Sequence, residues 1–111
     1  MIDTHCHLTS TELFSKIDHI VKTAFDSGIS HMITVAVDSK DAIKAQKCAS
    51  NYKNVYFSAG IHPLYAGEEW DWISLKEVIK DKKCVAFGEL GLDQHYKDHN
   101  FELQLKLLEE Q

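Results

Sequence analysis

The stretch Asp3-Thr4-His5-Cys6-His7 carries two histidines separated by one residue. In an extended strand alternate side chains share a face, so the two imidazoles project the same way about 7 Å apart along the chain, near enough to converge on one metal ion. Asp3 falls on the same face, where a carboxylate can accept a ring N–H and orient an imidazole. A second group lies in Gly88-Glu89-Leu90-Gly91-Leu92-Asp93. Glu89 can bridge two cations, and the flanking glycines let backbone and ligand approach closely. The third is Gly60-Ile61-His62-Pro63. Its imidazole can donate a hydrogen bond to a phosphate oxygen or act as a general acid. Each group also has a plainer reading: strand-end histidines satisfied by hydrogen bonds, loop acids at Glu89 and Asp93, and a turn histidine fixed by Pro63.

Something must bring these residues together. Residues 2–8, 31–37, 54–60 and 84–90 are short, apolar or alternating runs rich in β-branched and aromatic side chains, which predicts four strands. The segments between them have helical periodicity. Leu13, Phe14, Ile17, Ile20, Val21, Ala24 and Phe25 recur at spacings of three and four, predicting one helix that ends at Gly28. Thr9 and Glu12 have the spacing of a capping box at its start. A second helix is expected over residues 39–51, with Ala42, Ile43, Ala45, Ala49 and Tyr52 near its inner face. A third is expected over residues 70–81, using Trp72, Ile73, Leu75, Val78 and Ile79. A fourth starts near Asn100 and carries Phe101, Leu103, Leu105, Leu107 and Leu108.

The order β-α-β-α-β-α-β-α is that of an α/β protein with a parallel sheet. A complete (βα)8 barrel takes about 250 residues, so four βα units amount to about half of a TIM barrel. That fold explains the three groups at once. Each lies at or just beyond the C-terminal end of a predicted strand, the edge where such barrels build their sites. Histidine and carboxylate ligands suit divalent cations that activate water, and a pair of such ions favours in-line attack on a phosphodiester.

The chain of 111 residues is 44% hydrophobic and 26% charged, with 12 basic and 17 acidic side chains for a formal charge of −5. This fits one globular domain and supplies no broad basic surface for non-specific nucleic-acid binding. Cations at the site would then be what attracts an anionic substrate. No secretory leader and no membrane-spanning apolar run is read, and Cys6, Cys48 and Cys84 form no CxxC pair, which predicts reduced thiols in a cytoplasmic protein. Cys6, facing away from the two histidines, is expected to be a small buried hydrophobe. His19 and His31 read as surface or strand-edge residues. Trp70 and Trp72 read as packing residues, though aromatic rings also stack on bases. His95, Tyr96, Lys97 and His99 form a polar loop that suits either a solvated connection or a phosphate contact.

In identity, order and spacing, IDTHCHL, AGIHP and GELGLDQHY followed by FELQLKLLEE resemble the N-terminal half of the TatD family of metal-dependent deoxyribonucleases. The resemblance implies that His5 and His7 bind one metal, that Glu89 bridges two, and that His62 lies near the substrate phosphate, making His62 and Glu89 the catalytic pair. It implies magnesium, with manganese or zinc as substitutes, and DNA as substrate. Asp3 and Asp93 would play supporting or substrate-contacting parts. Gln94 stands where family members often carry tyrosine.

The family's later ligands, two histidines and an aspartate, have no counterpart among residues 1–111, and three ligands are too few to close two metal spheres. The expectation is therefore an N-terminal part of a hydrolase domain, truncated before its later strands, with two sheet edges and apolar helix faces open to self-association. Two alternatives stand beside it: a related enzyme acting on amides or lactones, and a non-catalytic fragment that binds metal or associates with itself.

Overall fold

The computed structural model describes residues 1–95 and 100–111. Four strands form one parallel sheet in the order β1-β2-β3-β4: β1 (Ile2–Cys6), β2 (His31–Val35), β3 (Val55–Ala59) and β4 (Cys84–Phe87). Between β1 and β2 lie α1 (Thr11–Phe14) and α2 (Ile17–Asp26); α3 (Ser39–Asn51) follows β2, α4 (Trp72–Val78) follows β3, and α5 (Phe101–Glu110) follows β4. A short 3-10 turn, Pro63–Tyr65, stands between β3 and α4.

Alternation along the strands separates two faces. Met32, Val55, Phe57 and Ala59 belong to one buried cluster with Ala42, Ala45, Ala49, Leu75 and Val78 from the helices. The other face carries Ile33, Val35, Ser58 and Ala86, which line a cavity of about 210 Å³ together with His5 and Glu89. Three alanines at the buried face of α3 allow that helix to lie close on β2 and β3, and Asp38 caps it by accepting from Asp41 N–H at 2.7 Å.

The structure departs from the sequence expectations in instructive places. Each strand ends earlier than predicted, because beyond Val35 and Phe87 the chain keeps single ladder bonds without strand geometry. Ala36 N–H reaches Ser58 O at 3.2 Å, Gly88 N–H reaches Ala59 O at 2.9 Å, and Glu89 N–H reaches Ala36 O at 3.3 Å. The first helix is broken in two where Lys16 leaves the helical region at φ −120°. The capping box is absent: Ser10 occupies the cap position, its side chain makes no cap bond, and the Thr9 hydroxyl is buried. Gly28 does end α2, in the left-handed region at φ 95°. Ile43 and Ile73 face outward, at 44% and 79% exposure, because they sit off the stripes that Ala42-Ala45-Ala49 and Leu75-Val78 define. In α5 the inner face is Gln104 and Leu107, and Phe101, Leu103 and Leu105 remain exposed, since their spacing of two does not follow a helical turn. Among the described residues, no helix is long and apolar enough to cross a membrane.

Candidate metal centre

A bulge in β1 aims the two histidines. Between Asp3, paired with Met32, and Cys6, paired with Thr34, β1 runs one residue longer than β2. The rings of His5 and His7 meet edge to face with centroids 5.1 Å apart, and their Nε2 atoms approach to 3.2 Å. His7 Nδ1 lies 2.9 Å from the Val35 carbonyl oxygen. A carbonyl only accepts, so Nδ1 carries the proton of the neutral ring and Nε2 presents its lone pair. The partner that orients an imidazole is thus a β2 carbonyl rather than Asp3. Because the bulge turns the strand, the Asp3 carboxylate accepts instead from the backbone N–H of His5, at 3.2 Å.

Glu89 arrives from the end of β4. Its Oε2 is 3.6 Å from His5 Nε2 and its Oε1 is 3.9 Å from His62 Nε2. Ligand atoms of His5, His7 and Glu89 all lie within 4.8 Å of one another. The donor set and its spacing fit a divalent cation. Two atoms sharing one ion at about 2.1 Å stand about 3.0 Å apart in octahedral and about 3.4 Å apart in tetrahedral geometry, which brackets the observed pair of nitrogens. The site is open, with the His5 side chain 54% exposed and Glu89 33% exposed.

His62 is fixed differently. Its Nδ1 accepts from Leu64 N–H at 3.2 Å, so the proton of the neutral ring resides on Nε2, the atom that faces Glu89. Its backbone N–H donates to Val37 O at 2.8 Å, tying the loop after β3 to the end of β2. Gly60 permits the approach of the loops after β3 and β4: a Cβ there would come within 2.8 Å of the Gly88 backbone.

The four principal residues therefore come together, and Asp93 does not join them. Its carboxylate accepts from His95 N–H at 2.7 Å, closing the turn after β4. Tyr96, Lys97 and His99 lie outside the described residues. The His31 ring lies against Tyr56, His19 is exposed on α2, and Trp70 and Trp72 pack against the core. The Cys6 thiol donates to Ile33 O at 3.3 Å and is half-buried; burial first, then the nearby Asp3 charge, pushes its pKa up to about 12.

Two glutamines escaped the sequence reading. Gln104, 1% exposed, accepts from Asp93 N–H at 2.7 Å and donates to Asp93 O at 2.9 Å. Gln111 does the same for Ile61, beside His62. The available signal was their spacing with Leu107, which places both glutamines on one face of α5.

A family model described as TatD related DNase matches residues 2–111. The chain belongs to the TatD-related DNase family. Among its TatD-family relatives, the metal-dependent hydrolase YjjV of Escherichia coli is 31% identical, the match covering 99% of this chain and 44% of YjjV. The 3'-5' ssDNA/RNA exonuclease TatD of Escherichia coli is 30% identical, over 84% of this chain and 36% of TatD. The crystal structure of YjjV, a TatD homologue, superposes with a TM-score of 0.88 at 30% identity, covering 99% of this chain and 44% of that one. This chain thus spans less than half the length of these relatives, and its four βα units are about half of the TatD-family barrel.

Proposed function

We propose that the whole protein hydrolyses DNA phosphodiesters, with His5, His7 and Glu89 as ligands for divalent cations and His62 on the substrate phosphate. The observation that carries this reading is the approach of two imidazole nitrogens to 3.2 Å beside the Glu89 carboxylate. A cation bound there supplies Lewis acidity and lowers the pKa of water. The protein's own groups do the rest. The Val35 carbonyl keeps the His7 lone pair directed at the cluster. Glu89 has one oxygen toward His5 and the other toward His62, so its two oxygens are free to serve different partners. His62, its proton held on Nε2 by the bond from Leu64, can donate to a phosphate oxygen or to the leaving oxygen. Asp3 and Asp93 support this set by holding the backbone at His5 and His95.

The imidazoles suit zinc, and the carboxylate suits magnesium or manganese, so all three ions belong in the test. In this reading the chain is the N-terminal part of the hydrolase domain, works in the cytoplasm, and associates with itself through its sheet edges, where Val85 and Phe87 of β4 are 49% and 42% exposed. Sedimentation reads that last point directly, and a monomer at every concentration would remove it.

The test of function has two readouts on the full chain. Calorimetry with manganese or zinc should show binding that His5→Ala and Glu89→Gln each abolish. End-labelled single-stranded DNA should be degraded with magnesium or manganese by a preparation whose site is complete, and not by either variant. Metal binding unaffected by both substitutions would overturn the ligand assignment. Inert DNA together with turnover of an amide or lactone would replace the substrate.

A further inference from the structure

The backbone at His62 is pinned twice. Its N–H donates to Val37 O at 2.8 Å, and the preceding Ile61 is gripped by the Gln111 side-chain amide. Those bonds fix where the Cα stands and leave the ring free to turn. The last torsion of a histidine is broad and roughly two-fold, so the orientation of an imidazole is decided by what touches it. A half-turn about Cβ–Cγ would put carbon where Nδ1 and Nε2 now stand, ending both the bond from Leu64 N–H and the approach of Nε2 to Glu89.

We propose that Tyr65, backed by Trp70, is the positioning residue of the His62 imidazole. This inference rests on the function proposed above, which puts His62 on the substrate phosphate, and adds what holds the ring for that task.

Three observations carry it. The first is direct contact. The rings of Tyr65 and His62 meet edge to face, with centroids 6.4 Å apart and planes at 75°. This is an arrangement that aromatic pairs prefer. With Leu64 N–H on Nδ1 at 3.2 Å, the imidazole is held at one nitrogen and by a neighbouring ring.

The second is the support behind Tyr65. Trp70 meets the Tyr65 ring in the same manner, at 6.3 Å and 82°, and both residues pack against the buried core. The row Trp70-Tyr65-His62 therefore runs from the core to an imidazole side chain that is 19% exposed.

The third is the stiffness of the turn that spaces the two rings. Pro63 is buried and fixes its own φ, and Tyr65 N–H returns to His62 O at 2.9 Å. General core packing asks only for an apolar side chain at position 65, whereas a fixed imidazole asks for a flat one. That difference can be measured.

The test reads the imidazole through the amide it accepts from. Hydrogen exchange at Leu64, followed by NMR in the full chain, reports the Nδ1 bond, while the amides of residues 65 and 66, bonded to His62 O and Pro63 O, report the turn itself. His62→Ala sets the rate of a Leu64 amide that has no imidazole. Tyr65→Leu should speed exchange at Leu64 about two- to tenfold, the scale of one aromatic pair, and leave residues 65 and 66 unchanged. Trp70→Leu should move the same amide in the same direction. Tyr65→Phe, which keeps the ring, should restore the parent rate.

A Leu64 rate that is equal in the parent and in Tyr65→Leu would overturn the proposal. Faster exchange at all three amides together would also overturn it, since that pattern belongs to a turn that has lost its packing. A Tyr65→Phe rate as fast as that of Tyr65→Leu would do the same. The function beneath it is tested apart, by titrating inorganic phosphate in the presence of manganese. Phosphate bound equally by the parent and by His62→Ala would take His62 off the phosphate, while the exchange pattern would still decide what holds its ring.

Discussion

Gln111 holds the backbone of Ile61 with both ends of its amide: Oε1 accepts from Ile61 N–H at 2.7 Å and Nε2 donates to Ile61 O at 3.1 Å. Ile61 is fully buried and immediately precedes His62, so the end of α5 sets where that imidazole stands. Gln111→Ala leaves two buried backbone groups unpaired, which costs about 1–3 kcal/mol each when nothing replaces the bonds. The expected result is a lower unfolding midpoint and faster hydrogen exchange at the Ile61 amide. Gln111→Glu keeps the acceptor and should keep that amide protected. Equal exchange rates in the two variants would show that the side-chain oxygen does not hold it.

Gly60 controls the distance between the loops that carry His62 and Glu89. Alanine there would drive its Cβ to 2.8 Å from two Gly88 backbone atoms, and backbone gives way less readily than a flexible side chain. Gly60→Ala should cost about 1–3 kcal/mol, as overpacking does, and should weaken manganese binding by moving Glu89 away from His5. Thermal melts and metal titration of the same preparation check both parts. A stable variant with unchanged metal affinity would mean that the loops tolerate separation.

Cys48 lies buried in α3, and burial pushes its pKa up from 9.0 to about 11. The thiolate is the reactive form, so at pH 8 the native protein holds about a hundredfold fewer Cys48 thiolates than the unfolded chain. Iodoacetamide should label Cys48 slowly in buffer and rapidly in urea, as read by peptide mass mapping. Comparable rates in the two conditions would contradict the burial.

Acid should weaken the fold through Asp81. Lys83 N–H at 2.8 Å and the Gln46 side-chain amide at 2.9 Å favour its carboxylate, holding its pKa below the usual 3.8. A folded value below the unfolded one stabilises the protein fully above the unfolded value, and that contribution disappears as pH falls through the folded value. Asp71, lowered by the Ser74 hydroxyl and N–H that it accepts from, has the same sign. Urea unfolding between pH 6 and pH 3 should show stability falling with acid. Asp81→Asn should flatten that dependence, and an unchanged slope would assign it to other groups.

Much of this molecule is legible without coordinates. Periodicity of two and of 3.6 is a local property, so the four strands, the 39–51 helix and a last helix starting near Asn100 follow from nearest neighbours along the chain. The parallel topology follows from their alternation, and it brings His5, His7, His62 and Glu89 to one edge. Their types and order also carry the family resemblance.

What only the tertiary structure decided are relations between residues far apart in sequence. No local pattern indicates that the Val35 carbonyl orients His7, that a bulge turns Asp3 toward backbone, or that Gln104 and Gln111 grip the loops at Asp93 and Ile61. The same holds for Thr9, whose spacing from Glu12 suggested a cap while packing buried its hydroxyl without a cap bond. The physical reason is common to all of them. A hydrogen bond needs a partner within about 3 Å, and which partner comes that close depends on sheet twist, bulges and helix docking, which the whole chain sets together.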